Sequence, residues 1–245
     1  MDDILALLPQ AAALARPPIS NFKVGAVARG ASGKMYFGTN VEFAGEALSF
    51  TVHAEQSAVV NAWMSGESGI DVVGTSAAPC GYCRQFLNEL VTAADLTVVM
   101  PGETRTLAEL LPSSFGPRDL GITGGLLQRD DHGLAIDERD ATATAALAAA
   151  NMSYAPYSKS YAGVALRTQD GGIVSGAYAE NVAFNPSLSP LQAALSQLNL
   201  GGGAWSDIAE VVLVRVDGLH DSATRVVLNA IGNASLRILP ARNSA

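Results

Sequence analysis

His53-Ala54-Glu55 and, further along, Pro79-Cys80-Gly81-Tyr82-Cys83 hold residue types that can build a zinc centre. Zinc takes nitrogen and sulfur donors in a tetrahedron. A structural site closes all four positions with protein, whereas a catalytic site keeps the fourth for water or substrate. His53, Cys80 and Cys83 supply three donors, and the chain has no other cysteine. The remaining histidines, His132 and His220, stand in a stretch without element signals and near the C-terminal end, at spacings that suit surface residues rather than ligands. The three donors therefore predict one Zn2+ per chain with an open position, and the i, i+3 spacing puts both sulfurs on one face of a helical turn.

Two thiolates and a neutral imidazole leave the ion formally without net charge, so it should acidify water less than a three-histidine site, which reaches a pKa of about 7. A nearby base is then needed. Glu55, two residues past His53, is placed to take a proton from water and return it to a leaving group.

The elements that must position these groups are legible as apolar periodicity and turn signals. Val24 to Arg29 and Met35 to Phe37 read as a hairpin around Gly30-Ala31-Ser32-Gly33. His53 to Met64 reads as a helix, Asp71 to Thr75 as a strand, Cys80 to Leu90 as a second helix and Leu96 to Met100 as a further strand. Each ligand group then falls in the first turn of a helix, where free N–H groups and the positive dipole end favour thiolate. The order predicts an α/β sandwich with a mixed sheet and helices on both faces.

The pattern occurs twice. Pro18-Ile19-Ser20 with Gly25-Ala26-Val27 recurs as Pro156-Tyr157-Ser158 with Gly163-Val164-Ala165, and Gly38 recurs as Gly176. Val164 to Thr168 and Ile173 to Ser175 flank Asp170-Gly171-Gly172 as a second hairpin. His53-Ala54-Glu55-Gln56-Ser57-Ala58 falls opposite Ser189-Pro190-Leu191-Gln192-Ala193-Ala194, without the His, the Glu or a following Cys pair. The expected organisation is a catalytic zinc-binding domain over 1–106, a connecting segment over 107–135 and a noncatalytic domain of the same fold over 136–245. Thr142 to Asn151 opens the second half as an alanine-rich helix.

Composition narrows the partners. The 245 residues are 49% hydrophobic and 16% charged, with net charge −8 and only three lysines, Lys23, Lys34 and Lys159. Nucleic-acid binders cluster Lys and Arg against phosphates, so no nucleic acid is expected as partner. Mean hydropathy is +0.22, but no run approaches the roughly 20 apolar residues of a membrane span, and the excess reads as buried interface. An acidic start and two cysteines spaced for metal predict a reducing cytoplasm. Trp63 and Trp205 read as packing residues.

Ile19-Ser20-Asn21-Phe22, Asn40-Val41-Glu42-Phe43, Thr51 to Ala58, Pro79 to Phe86 and Ala177 to Pro186 together resemble the cytidine deaminases. In zinc-dependent nucleobase deaminases the H-x-E and P-C-x-x-C pair supplies ligands, and its Glu shuttles protons without ligating. The His/Cys/Cys set and degenerate second half are similar to the homodimeric class rather than the shorter homotetrameric one. The resemblance implies hydrolysis of cytidine and deoxycytidine to uridine and deoxyuridine plus ammonia, in pyrimidine salvage. It further implies that Asn40 and Glu42 bind ribose, Phe22 packs on the nucleoside and the Ala54 N–H holds the cytosine carbonyl. Ala78 would offer its backbone carbonyl to the amine, and Phe184 would cover the base across subunits of a homodimer. A carboxylate such as Glu42 accepts from a sugar hydroxyl and repels phosphate, which favours a free nucleoside. Two alternatives remain open on this sequence, a deaminase of a related aminated nucleoside or nucleotide and a noncatalytic binding protein. The intact His53, Glu55, Cys80 and Cys83 argue against the latter.

Overall fold

The computed structural model describes residues 1–232 and 234–243 and divides into two units. Unit 1 comprises residues 1–42, 51–128 and 181–187; unit 2 comprises 43–50, 129–180 and 188–245. Each unit therefore takes a short segment from the other half of the chain. Residues 107–128 belong to unit 1.

Unit 1 runs α1 (Asp2–Ala13), β1 (Gly25–Gly30), β2 (Met35–Thr39), α2 (Ala54–Met64), β3 (Ile70–Thr75), α3 (Gly81–Leu87), β4 (Thr97–Met100), β5 (Glu103–Thr106) and α4 (Leu107–Leu110). The sheet order is β2-β1-β3-β4-β5, with β3 and β4 parallel and the other pairs antiparallel. Two glycines show why the helices lie on opposite faces. A Cβ on Gly25 would fall 2.4 Å from Ala12 N of α1, and one on Gly38 would fall 2.1 Å from Ala58 N of α2. Gly25 pairs with Thr39 and Ala26 with Gly38, so the two glycines face opposite ways across the pleat. Ile4, Leu8, Ala11, Val27, Val72 and Val99 form the buried layer under α1.

Unit 2 repeats this plan with β6 (Leu134–Ala135), α5 (Ala141–Asn151), β7 (Ala162–Thr168), β8 (Ile173–Ala177), α6 (Pro190–Leu200), β9 (Ile208–Arg215), α7 (Asp221–Ile231), β10 (Ser235–Pro240) and β11 (Arg242–Asn243). Its main sheet is β10-β9-β7-β8, with β9 and β10 parallel. A Cβ on Gly163 would meet Ala150 N of α5 at 2.2 Å, and one on Gly176 would meet Ala194 N of α6 at 2.2 Å. The repeated glycines are thus contact points where helix backbone lies on strand backbone, and the alanine-rich α5 supplies the small residues such contact needs. Among the described residues no helix is long and apolar enough to cross a membrane.

The sequence reading placed the hairpins and central helices within a few residues but passed over α1, β5, α4, β9, α7 and β10. α3 ends at Leu87, short of the expected Leu90, because Leu90 leaves to bridge Leu126. The stretch from Leu107 was expected to be without pattern, yet it opens with a helical turn capped by Thr106 and Glu109. Four residues are too few for a periodicity to register.

Candidate metal centre

The two helix starts converge. His53 is the N-cap residue of α2 and Cys80 that of α3, both with extended backbone, and Cys83 lies in the first turn of α3. His53 N–H donates to Gln56 Oε1 at 3.1 Å, which fixes the entry into α2. Arg84 does the same for α3: its Nε donates to the Pro79 carbonyl and its Nη1 to the Leu110 carbonyl, each at 2.9 Å.

His53 Nδ1 stands 3.7 Å from Cys80 Sγ and 3.2 Å from Cys83 Sγ, and the sulfurs are 3.6 Å apart. A tetrahedral zinc with ordinary Zn–S and Zn–N bonds would space such donors about 3.5 to 3.8 Å apart. The donor set and its spacing fit zinc, with Nδ1 as the ligating nitrogen. Among the described residues, His53, Cys80 and Cys83 are the one group of at least three potential ligands whose donor atoms come together, within 4.8 Å. Among the described residues no fourth His, Cys or carboxylate donor joins that group. His132 is half-buried, its Nε2 2.6 Å from the Ser153 carbonyl and its ring stacked on Tyr161. His220 corrects the surface expectation: it is buried at 6% exposure against Tyr178.

Glu55 is 4% exposed, and its Oε2 accepts from Cys83 Sγ at 3.2 Å. Burial pushes this carboxyl above the usual range, against a backbone hydrogen bond and the Cys83 contact. The hydrogen bond between the two sulfurs holds the Cys80 thiol down at about 5, and that bond together with burial pushes Cys83 up. A metal takes such cysteines as thiolates, so its binding here would displace protons from the pair.

The remaining expected residues gather in unit 1. Ala54 begins α2, and Ala78 lies exposed between β3 and α3. Asn40 and Glu42 follow β2, buried at 7% and 4%. Asn40 Oδ1 accepts from the Val24 N–H and its Nδ2 donates to the Phe22 carbonyl. Glu42 accepts from the Ile19 and Ser20 N–H groups and the Ser20 hydroxyl. Phe22 stands 62% exposed. Phe184, 64% exposed, lies in the segment that the second half lends to unit 1. That segment is tied to the zinc helices: Tyr82 Oη donates to the Asn185 carbonyl at 2.8 Å, and Gln56 Nε2 to the Pro186 carbonyl at 3.0 Å. Asn181 Nδ2 donates to the Gln85 carbonyl, and the Val182 N–H to Glu89 Oε2.

Sequence reasoning missed Gln56, Tyr82, Arg84, Gln85 and Glu89 as supports. Two left a signal. H-x-x-Q is the spacing of an N-terminal cap, and a lone Arg directly after the second cysteine is a multidentate donor beside a metal turn. The others act on residues more than ninety positions away, which no local pattern reports.

Residues 2–100 match the family model for the cytidine and deoxycytidylate deaminase zinc-binding region, and residues 107–225 match a second model of the same description. A cytidine deaminase from Photobacterium profundum is 53% identical over 231 residues, covering 93% of this chain and 78% of that protein. One from Cronobacter sakazakii is 50% identical over 244 residues, covering 97% of this chain and 83% of that protein. A likeness to the crystal structure of cytidine deaminase from Mycobacterium tuberculosis spans 47% of this chain and 96% of that one, at 31% identity and a TM-score of 0.42.

Proposed function

This chain belongs to the cytidine deaminase family, and from that premise we propose that it hydrolyses cytidine and deoxycytidine to uridine and deoxyuridine, releasing ammonia, with zinc as cofactor. The observation that carries the reading is the buried Glu55 carboxyl beside three donor atoms that lie within 4.8 Å of one another. His53 Nδ1, Cys80 Sγ and Cys83 Sγ hold the ion. Zinc in that position supplies Lewis acidity toward a water molecule. Glu55 takes one proton from the water that adds at C4 of the pyrimidine and passes it to N3; it then takes the proton of the new C4 hydroxyl and gives it to the amine, so that the C4–N bond breaks as the C4 carbonyl forms. Its burial suits this cycle, because a raised carboxyl pKa lets one group both accept and return a proton near neutrality. One water is consumed and one ammonia leaves, so the proton count closes.

The Ala54 N–H, free of an intrahelical partner at the start of α2, is the proposed donor to the pyrimidine carbonyl, and the Ala78 carbonyl the acceptor for the exocyclic amine. Phe22 is the apolar contact to the nucleoside. For Phe184, the hydrogen bonds to its segment from Gln56 and Tyr82, and from its segment to Gln85 and Glu89, support delivery to the pocket of its own chain, in place of the across-subunit role the resemblance implied. A homodimer remains part of the proposal, supported by the large exposed apolar side chains of Phe22, Phe184, Leu48 and Leu219. So does a reducing cytoplasmic location, which keeps Cys80 and Cys83 as thiols, and a place in pyrimidine salvage.

The test is direct. Purified, zinc-assayed protein is incubated with cytidine, deoxycytidine, their monophosphates and adenosine, and ammonia is measured. Release from the two free nucleosides is the expected result. Preference for a monophosphate or for adenosine moves the substrate class, and no release from a zinc-loaded protein removes the catalytic reading.

A further inference from the structure

We propose that Tyr82 is a positioning residue for the reaction: its ring sets the plane of the zinc ligand His53, and its hydroxyl links that ligand to the turn that carries Phe184. The inference rests on the zinc reading above and deepens it. Tyr82 stands between Cys80 and Cys83, in the first turn of α3, and reaches the residue that caps α2. Its ring is stacked on the His53 imidazole, with centroids 5.0 Å apart and planes 24° apart, inside the range of favourable offset stacking. An imidazole has a broad preference about its last side-chain torsion, and the lone pair of Nδ1 lies in the ring plane, so holding that plane aims Nδ1. Metal-bound histidines are usually aimed by a hydrogen bond at the second ring nitrogen. Among the described residues the His53 ring makes hydrogen-bond contacts from Nδ1 alone, toward the two sulfurs, and the stacked phenol takes over the orienting role.

The far end of the same side chain is tied down. Tyr82 Oη donates to the Asn185 carbonyl at 2.8 Å, one residue past Phe184, whose backbone is left-handed at φ 62°, a conformation that a bulky residue enters at a cost. The tether thus holds a turn that its own residue types disfavour. The second unit separates this link from the common scaffold. In unit 1 the His53 N–H donates to Gln56 Oε1 at 3.1 Å, and Gln56 Nε2 to the Pro186 carbonyl at 3.0 Å. In unit 2 the Ser189 N–H donates to Gln192 Oε1 at 3.2 Å, and Gln192 Nε2 to the Phe50 carbonyl at 2.7 Å. The cap and its glutamine strut therefore recur where the metal ligands are missing. The aromatic pair does not recur: Ser189 caps α6 in the place of His53, and α7, which joins β9 to β10 as α3 joins β3 to β4, opens Asp221-Ser222-Ala223. Stack and tether accompany the ligands, as a device serving the metal should, whereas a device serving the fold alone has equal reason to appear in both units.

The test uses two variants of the whole chain. Tyr82→Leu keeps the bulk and removes the ring, and Tyr82→Phe keeps the ring and removes the hydroxyl. Tyr82→Leu is expected to bind zinc about 10- to 100-fold more weakly in chelator competition, the range for lost outer partners of metal ligands. With Co2+ loaded in place of zinc, its ligand-field bands should change while the thiolate charge-transfer bands persist. Tyr82→Phe should return affinity and spectrum to those of the wild type. Its defect should appear at the turn instead, where the amides of Phe184, Asn185 and Ser187 should exchange about 3- to 10-fold faster, the equivalent of one neutral hydrogen bond. The Val182 amide, held by Glu89, should keep its wild-type rate. Wild-type affinity and spectrum in Tyr82→Leu, or an equal loss in Tyr82→Phe, overturns the orienting role, and unchanged exchange at the turn in Tyr82→Phe overturns the tether. Tyr82→Met gives the same comparison if Tyr82→Leu folds poorly. A wild-type chain that binds zinc yet releases no ammonia from cytidine sinks the substrate reading alone, since affinity, spectrum and exchange still decide the role of Tyr82. A wild-type chain that binds no zinc sinks the metal reading and the orienting role together.

Discussion

Arg84 shows how much a metal turn leans on residues that never touch the metal. Its guanidinium ties the Pro79 carbonyl, next to Cys80, to the Leu110 carbonyl of α4. A lysine places its donors differently, because it lacks the planar fork. Arg84→Ala is expected to weaken zinc binding about 10- to 100-fold, the range seen when outer partners of metal ligands are removed. Competition with a chromophoric chelator measures this, and wild-type affinity would clear Arg84 of the role. Glu55→Gln should behave in the opposite way. Zinc content should stay at the wild-type level while turnover falls at least about 10²- to 10⁴-fold, and near-normal turnover in a zinc-replete protein would remove Glu55 from proton transfer.

At the scale of elements, the two units differ in chemistry but share the same close contacts of helix on strand. Gly38 sits against the Ala54 carbonyl and Ala58 N in unit 1, as Gly176 sits against the Pro190 carbonyl and Ala194 N in unit 2. A methyl group at either position must push helix from sheet, at about 1–3 kcal/mol or more. Gly38→Ala is expected to lose both stability and zinc, since it displaces the helix that His53 caps. Gly176→Ala should lose stability alone, and urea titration with zinc analysis separates the two. The start of α5 offers a pH test. Asp140 Oδ1 caps Ala143 N–H and the carboxylate pairs with Arg237 at 2.7 and 2.9 Å. The Arg237 hydrogen bonds, first, and the cap hold its pKa at about 2 from an ordinary 3.8. The folded value lies below the unfolded one, so the stabilisation is complete above pH 3.8 and fades as pH falls toward about 2. The melting-temperature gap between wild type and Asp140→Asn should narrow across that window; a constant gap would mean the ionised form contributes nothing.

On the scale of the whole molecule, the exchange of segments between units matters most. Residues 181–187, encoded in the metal-free half, stand in unit 1 through Gln56, Tyr82, Gln85 and Glu89, and residues 43–50 stand in unit 2, where Gln192 Nε2 donates to the Phe50 carbonyl. If Phe184 serves its own chain, mixing inactive Glu55→Gln with impaired Phe184→Ala subunits should restore nothing. Recovered ammonia release in mixed dimers would place Phe184 across subunits instead. The convergence of His53, Cys80 and Cys83, the repeat and most of the hairpins were legible in the sequence because each is a local pattern, a spacing of a few residues or a fixed offset between copies. α1, α7 and the strands β9 and β10 were passed over although their signals are also local; α1 carries an internal Pro9, which argues against a helix when read alone. The distances among His53, Cys80 and Cys83, the burial of Glu55, the place of residues 181–187 and the engagement of Asn40 and Glu42 with the Phe22 turn were settled only by tertiary structure. Each depends on groups remote in the chain arriving at one point, and the residue types at those positions do not record which carbonyl or N–H will be waiting there.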